Sequence, residues 1–328
     1  MDGISTVRRD AIPGVRNGFG VSFGTFGELL QGALAGNDED FLVTLPIARW
    51  STARIALVPG SGELVVEPAT KRKSSAVAGS MLRRHGISSG GRLTLAGDLP
   101  EGKGMSSSSA DLVATVRAVA DALGVAVTPP EIEALLRGVE PSDGLMYQEM
   151  VAFYHRRVEL RRLLGPVPAL TVVGVDEGGQ VDTVSFNSSR PAITASRRRE
   201  YGVLLDRLTT ALAAGDLATV GRIATRSALL NQERCPKAHL DRAVEICREV
   251  RALGVAVAHS GTLVGIIVSA GDPDHAAKVA EAKAACRELA GAVSVDRTLD
   301  SRSATRLTGP RRQRTVPPPA VDVHSNRR

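Results

Sequence analysis

Aromatic side chains are scarce in this chain: six phenylalanines, three tyrosines and one tryptophan make up 3% of it. A surface that stacks bases needs more of them, so nucleic acid is not an expected partner. Cysteine is scarcer still. Cys235, Cys247 and Cys286 are odd in number and match no metal spacing, which argues against a disulfide scaffold or a zinc ribbon and for reduced thiols. Cys247 and Cys286 fall inside apolar helical patterns and are expected in the core. No run of about 18 apolar residues occurs and the first residues carry no apolar signal core, so no membrane partner is expected and the chain reads as cytoplasmic. What it has is glycine, 33 residues in a chain of 328 with 43% hydrophobic content. That balance fits an α/β or α+β enzyme with tight turns and room for two domains.

The formal charge of +6 sits largely in residues 301–328. There Arg302, Arg306, Arg311, Arg312, Arg314, Arg327 and Arg328 surround Pro317, Pro318 and Pro319 with no apolar period. The composition is that of a basic, Pro/Arg-rich disordered tail rather than a nucleic-acid arm, and the body without it is close to neutral.

One stretch organises the rest: Leu99-Pro100-Glu101-Gly102-Lys103-Gly104-Met105-Ser106-Ser107-Ser108-Ser109-Ala110-Asp111. Before it, Arg92 to Leu95 alternates as a half-buried strand does; after it, Leu112, Val116, Val119 and Leu123 recur at helical spacing. The loop therefore opens a helix. Gly102 and Gly104 permit backbone conformations closed to other residues, and a helix start offers unpaired N–H groups and the positive end of its dipole. One hydroxyl is enough for a cap, so four consecutive serines favour a phosphate seat over a purely structural one. The Gly-Lys-Ser/Thr ending of a Walker loop is absent, and the P-loop fold is not implied.

Two further segments carry candidate chemistry. Gly18 to Gly32 is strand-like but interrupted by Gly20, Gly24 and Gly27, and it brings Glu28 and Gln31 either to a cleft or onto a bulged edge hairpin. Glu140-Pro141-Ser142-Asp143-Gly144 holds two carboxylates three residues apart, which either converge on a site or decorate a turn. Around them, Phe41 to Pro46, Ala53 to Val58 and Glu63 to Glu67 read as strands and Ser75 to His85 as a helix. Gly124 closes the helix after the serine run. Thr128-Pro129-Pro130-Glu131 is a capping box with proline at the first helical position. Beyond Leu170 to Val175, a strand, the pattern predicts a polar connection from Asp176 to Arg198 and helices over Arg199 to Ala213, Asp216 to Glu233 and Leu240 to Leu253. Then come the loop Ala258-His259-Ser260-Gly261-Thr262, a strand over Leu263 to Ser269, a helix from Asp274 to Leu289 and a strand from Ala292 to Val295. This order suggests a two-layer α+β unit resembling half of a ferredoxin-like sandwich.

With these segments assembled, the chain resembles the GHMP kinases. Pro100 to Ala110 is similar to that family's Pro-x-x-x-Gly-Leu-Gly-Ser-Ser-Ala loop, with Ser106 where the family has its last glycine, so a less tightly wrapped seat is expected. Gly27-Glu28-Leu29-Leu30-Gln31-Gly32, Trp50-Ser51-Thr52-Ala53, Lys103-Gly104-Met105, Glu140-Pro141-Ser142-Asp143 and Ala258 to Thr262 resemble the bacterial L-threonine kinase branch of the cobalamin pathway, in order, up to about residue 270. The resemblance implies a two-domain α+β fold: a ribosomal-protein-S5-domain-2-like nucleotide-binding domain over 1–165 and a ferredoxin-like domain over 166–300, with the tail at 301–328 outside it. It implies ATP and Mg2+ as cofactors. Gly102, Lys103, Gly104, Met105, Ser106, Ser107, Ser108 and Ser109 would cradle the nucleotide, and Ser108 and Glu140 would hold the metal. Asp143 would act as base on the acceptor hydroxyl, with Lys103 adding positive charge. Glu28, Gln31, Asp143, His259, Ser260 and Gly261 would line the acceptor site, Glu28 taking an ammonium group; His259 alone reads either as an orienting group or as a turn residue. The implied reaction is phosphorylation of the hydroxyl of a free amino acid, L-threonine foremost, by a chain compatible with a homodimer. Homoserine or another hydroxylated metabolite is the alternative acceptor. A nucleotide-binding regulator without catalysis is the alternative of another class, and the presence of both Glu140 and Asp143 speaks against it.

Overall fold

The computed structural model describes residues 14–36, 39–179 and 192–299. The basic tail expected over 301–328 and most of the polar connection expected after Asp176 lie outside the described residues.

Among the described residues the chain forms one mixed sheet and seven helices. The strands are β1 (Arg16–Ala33), β2 (Asp40–Pro59), β3 (Leu64–Glu67), β4 (Ser89–Gly97), β5 (Met150–Tyr154), β6 (Glu159–Gly165), β7 (Leu170–Asp176), β8 (Gly254–Val257), β9 (Leu263–Ser269) and β10 (Val293–Arg297). The helices are α1 (Arg72–Arg84), α2 (Ser107–Leu123), α3 (Pro129–Leu136), α4 (Ala195–Ala214), α5 (Leu217–Asn231), α6 (Leu240–Glu249) and α7 (His275–Ala290). Sheet order is β10-β7-β9-β8-β1-β2-β4-β3, with β5 pairing β2 and β6 beside that row. The pairs are antiparallel except β3 with β4, which α1 connects as a right-sized βαβ crossover. β7, three helices, β8, β9, α7 and β10 follow the β-α-β-β-α-β order of a ferredoxin-like sandwich. The α+β reading of the sequence is met. The sheet is continuous across residue 165: Glu28 of β1 pairs with Val257 of β8.

Apolar side chains gather in three clusters. Phe23, Ile55, Leu93, Leu112 and Val116 pack α1, α2 and α3 onto β1, β2 and β4. Phe26, Phe41, Leu45, Leu208 and Ile223 join α4 and α5 to the middle of the sheet. Val244, Ile246, Cys247, Ala282 and Cys286 seat α6 and α7 on β7, β8 and β9. All three cysteines are buried and free, and burial pushes the Cys247 and Cys286 thiols up to about 11.

The glycines of β1 are explained by what lies on them. A methyl at Gly20 would stand 2.0 Å from the Ala114 carbonyl oxygen and 2.4 Å from the Ala118 nitrogen, and one at Gly18 only 2.1 Å from the Ala118 oxygen. Helix α2 thus rests on bare backbone. β1 lies inside the sheet, between β2 and β8, and the edge-hairpin reading of this segment is corrected accordingly. Other expectations also shift. The two strands expected over 41–46 and 53–58 are one, β2, because the register with β1 jumps between Phe23/Trp50 and Gly24/Ile47 without breaking the ladder. α6 stops at Glu249 rather than Leu253, since Arg251 takes a left-handed backbone with φ 54° and Gly254 already begins β8. The β5–β6 hairpin was not expected; β6 is a charged edge strand whose Arg161 and Arg162 blur its alternation. The capping box forms as read, the Thr128 N–H donating to Glu131 at 2.8 Å.

Ser106 departs from expectation in the opposite sense. Its φ of 56° and ψ of 32° are left-handed, the conformation a glycine would supply, so the backbone wrap is not loosened. Such a conformation costs about 1–2 kcal/mol for a residue with a Cβ. The hydroxyl offsets it: Ser106 Oγ donates to Asp143 Oδ2 at 2.5 Å and meets Thr25 Oγ1 at 2.6 Å.

Two stability tests follow from these contacts. Gly20→Ala is expected to lower unfolding stability by about 2–3 kcal/mol in denaturant melts; a change below about 0.5 kcal/mol would mean that α2 does not rest on β1. At position 106 stability is expected to fall in the order Ser, Gly, Ala. Alanine keeps the left-handed strain and loses both hydrogen bonds, whereas glycine removes the strain, a difference of about 1 kcal/mol. Alanine equal to or above glycine would remove the strain argument.

Candidate active site

The loop ahead of α2 is clamped from two sides. On one, the Thr25 N–H donates to the Met105 carbonyl at 3.2 Å. On the other, the Thr262 N–H donates to the Lys103 carbonyl at 3.2 Å, and a methyl at Gly261 would stand 2.2 Å from that same oxygen. A methyl at Gly104, whose φ is +90°, would collide with the Ala258 side chain at 2.3 Å. The β8–β9 turn is itself held from behind by Lys237, whose ammonium is buried and donates to the Gly261 carbonyl at 2.5 Å.

The four serines divide their hydroxyls, and none of them caps the helix. No side chain caps α2 at Ser106, and its first turn contains no acid, so the helix start keeps N–H groups for a ligand. Ser106 Oγ donates to the Asp143 carboxylate, Ser108 Oγ donates to Glu140, and Ser109 Oγ accepts the Asp143 N–H at 3.2 Å. Ser107 lines the cavity. The Glu140–Asp143 turn is pinned from its far side as well, the Ser142 N–H donating to the His155 carbonyl at 3.0 Å. Burial pushes the Asp143 carboxyl above its ordinary range; the Ser106 hydrogen bond opposes this and the neighbouring Glu140 charge adds to it.

A cavity of about 560 Å³ opens over these groups. Its far wall is the start of α1, where Lys71, Arg72 and Lys73 face the serine run. Lys73 ion-pairs with Glu140, and Lys71 with Glu101 and, at 2.6 Å, with Asp111. Burial alone would push the Lys71 ammonium down, but Asp111 and Glu101 outweigh it and hold it above its ordinary value. Asp111 is fixed in turn by the Ser51 hydroxyl at 2.5 Å. Glu28, His155 and His259, all buried, also line the cavity, with Leu42. Gln31 lies behind, its Oε1 accepting from His259 Nδ1 at 3.0 Å.

Of the residues singled out in the sequence, Glu28, Gly102, Gly104, Met105, Ser106, Ser107, Ser108, Ser109, Glu140, Asp143, His259 and Ser260 come together on this cavity. Gln31 and Gly261 support it from the second layer. Lys103 is elsewhere: its ammonium pairs with Asp176 at 2.7 Å and donates to the Gly179 carbonyl at 2.6 Å. The expectation that Lys103 brings charge to the phosphates is corrected on that ground, because the carboxylate at the end of β7 holds it away from the lining. The cations that do face the cavity, Lys71 to Lys73, were missed because α1 begins at Arg72 and not at Ser75. His155 was missed with the hairpin that carries it.

The donor set around the acidic turn is one of hard oxygens. Glu140 and Ser108 present hard oxygens side by side, and Glu140 already attracts a cation, the Lys73 ammonium. No cluster of three His, Cys, Asp or Glu side chains suited to a metal occurs among the described residues. Such a site suits an ion held by one carboxylate and shared with phosphates rather than a protein cage, as magnesium is. No described helix is long and apolar enough to cross a membrane.

Comparison with known proteins agrees with the geometry. The family model of the GHMP kinases N terminal domain matches residues 72–153, and that of the GHMP kinases C terminal matches residues 208–288. The chain is 27% identical over 252 residues to an L-threonine kinase of Citrobacter freundii, covering 74% of this chain and 83% of that one. It is 25% identical over 248 residues to an L-threonine kinase of Salmonella typhimurium, covering 74% and 80%. A solved homoserine kinase of Cytophaga hutchinsonii shares the fold, with a TM-score of 0.64 at 16% identity over 89% of this chain and 96% of that one. The serine loop, the acidic turn locked to it and these matches lead to one conclusion: the chain belongs to the GHMP kinase family, as an ATP-dependent kinase of a small hydroxylated substrate close to the family's L-threonine kinase branch.

Proposed function

We propose that the chain transfers the γ-phosphate of ATP to the side-chain hydroxyl of a free hydroxy amino acid, L-threonine in the first place, giving O-phospho-L-threonine and ADP. The observation that carries this reading is the pair of hydrogen bonds tying Ser106 to Asp143 and Ser108 to Glu140, which supports one site containing a phosphate seat, a cation position and a base. The L-threonine kinase relatives support threonine over homoserine.

Backbone N–H groups of Gly102 to Ser107 hold the triphosphate at the start of α2. Ser108 and Glu140 would hold Mg2+, which when bound neutralises phosphate charge. Asp143 takes the proton of the acceptor hydroxyl as its oxygen bonds to the γ-phosphorus and the bond to the ADP oxygen breaks. Its Oδ2 accepts from Ser106, so the carboxylate is oriented and its other oxygen faces the acceptor. Phosphoryl transfer needs mainly positioning and charge neutralisation, and a carboxylate is an adequate base for it. Glu28 takes the ammonium group of the substrate, a charge that a buried carboxylate binds well.

Asp143→Asn is expected to lower kcat by about 100-fold or more while ATP affinity stays within about threefold; wild-type turnover would remove the base assignment. The active form of Asp143 is the carboxylate, and its pKa is raised. The acid limb of kcat/KM should therefore fall above the ordinary aspartate range of about pH 4 and vanish in that variant. Glu140→Gln should raise the Mg2+ concentration needed for half-maximal rate by about tenfold; an unchanged requirement would move the metal elsewhere. ADP release measured on threonine, serine and homoserine decides the acceptor, and preference for homoserine would overturn threonine.

A further inference from the structure

We infer that Lys237, which does not itself line the cavity, is a positioning residue for the phosphate seat and carries positive charge to it through two peptide groups. The inference rests on the kinase reading above and concerns how its nucleotide is gripped. Phosphoryl transfer asks for charge neutralisation around the phosphates. The loop's own lysine does not supply it, since Lys103 is drawn off to Asp176. Lys71, Arg72 and Lys73 reach the cavity from α1, a route separate from the one that starts at Lys237.

The signal is a buried charge without a counter-charge. Lys237 lies between α5 and α6 and is 4% exposed. Its ammonium donates to the Gly261 carbonyl at 2.5 Å and to Cys235 Sγ at 3.0 Å, and among the described residues no carboxylate pairs with it. Taking an ammonium out of water with no anion beside it is costly, so an anion placed at the end of its hydrogen-bond chain is favoured. The segment is also fastened in place. The Lys237 N–H donates to Gln232 Oε1 at 2.7 Å, and Gln232 Nε2 donates back to the Lys237 carbonyl at 3.1 Å. Two residues on, the His239 N–H donates to Glu177 Oε1 at 2.7 Å, and the Glu177 N–H donates to the Thr262 carbonyl at 2.9 Å. The lysine and the turn it meets therefore share one frame.

From Gly261 the path runs through peptides in line. A trans peptide points its carbonyl and its N–H in opposite directions. The Gly261 carbonyl takes the ammonium, and the N–H of that same peptide, which belongs to Thr262, donates to the Lys103 carbonyl at 3.2 Å. The N–H at the other end of the Lys103 peptide belongs to Gly104. Gly104 lines the cavity, and no described acceptor takes its N–H. Hydrogen bonds arranged head to tail polarise one another. The Gly104 N–H is thereby made a stronger donor to an anion than an isolated amide, and the approach of Gly261, where a methyl would stand 2.2 Å from the Lys103 oxygen, keeps the two peptides in register. Lys237 acts through the loop and touches neither substrate.

The test uses the full chain with Mg2+ and ligands that differ in phosphate charge: adenosine, ADP and the non-transferable analogue AMPPNP. Lys237→Met removes the charge and its donors at similar length, whereas Lys237→Gln keeps a neutral donor. In isothermal titration Lys237→Met should weaken AMPPNP binding by about tenfold or more and ADP by less, while adenosine binding and KM for threonine stay within about twofold. Lys237→Gln should weaken AMPPNP by less than Lys237→Met does. Equal weakening of all three ligands, as a merely displaced loop would give, would overturn the relay while leaving the kinase reading intact. So would AMPPNP binding within about twofold of the wild type in both variants. A wild type that binds AMPPNP no better than adenosine would remove the phosphate seat itself. Folding of the variants is checked by thermal melting. Independently of them, the amide resonances of Thr262 and Gly104 in the unaltered chain should both shift on adding ADP and not on adding adenosine; a Gly104 resonance that stays in place with ADP would overturn the relay.

Discussion

Three glycines around the loop before α2 meet their neighbours too closely to carry a Cβ, and the site depends on that contact. Gly27 of β1 would carry a methyl 2.6 Å from the Val257 carbonyl, Gly104 one that strikes Ala258, and Gly261 one that strikes Lys103. None of these approaches tolerates a side chain. Together they bring a strand, a loop and a turn far apart in sequence to within hydrogen-bonding distance, and they fix the direction in which the serine run faces. Gly18 and Gly20 do the same for the helix itself, letting α2 rest on β1.

On that frame the acidic turn is set by hydroxyls. A buried carboxylate without partners carries a desolvation penalty of several kcal/mol, and one with a single hydroxyl donor recovers only part of it. Asp143 shows that balance: burial outweighs the Ser106 hydrogen bond and its pKa stays raised. A base held in that condition binds a proton more readily than an exposed aspartate does. Asp176 shows the reverse balance, since Lys103, Thr262 and the Gly178 N–H outweigh its burial and hold it below the usual range. The two carboxylates thus differ in character because one is met by an ammonium and the other by a hydroxyl.

Much of this was legible in the residues. Thr128 and Glu131 announce a helix start wherever they occur, and the serine run followed by Leu112, Val116 and Val119 announces another. Local chemistry of that kind needs no knowledge of partners. What was not legible depended on them. Gly18 and Gly20 read equally well as an edge hairpin until α2 is placed on them. Lys103 reads as a phosphate ligand until Asp176 claims it from the end of β7. The Glu140–Asp143 turn reads as surface decoration until Ser106, Ser108 and Ser109 close on it. The hairpin carrying His155 was hidden by the arginines of its outer strand, which suit an exposed edge and obscure the alternation that would mark it.

The distribution of charge around the cavity has a consequence of its own. Lys71, Arg72 and Lys73 line the cavity from the start of α1, while Glu28 lines it from β1. With Lys103 drawn away to Asp176, no cation at the loop itself blurs this polarity. Low-dielectric walls concentrate the resulting field within the cleft. Two visitors of opposite character are therefore sorted before either makes a contact: a polyanion is drawn tail first toward α1 and a small amine toward β1, so that they arrive facing each other.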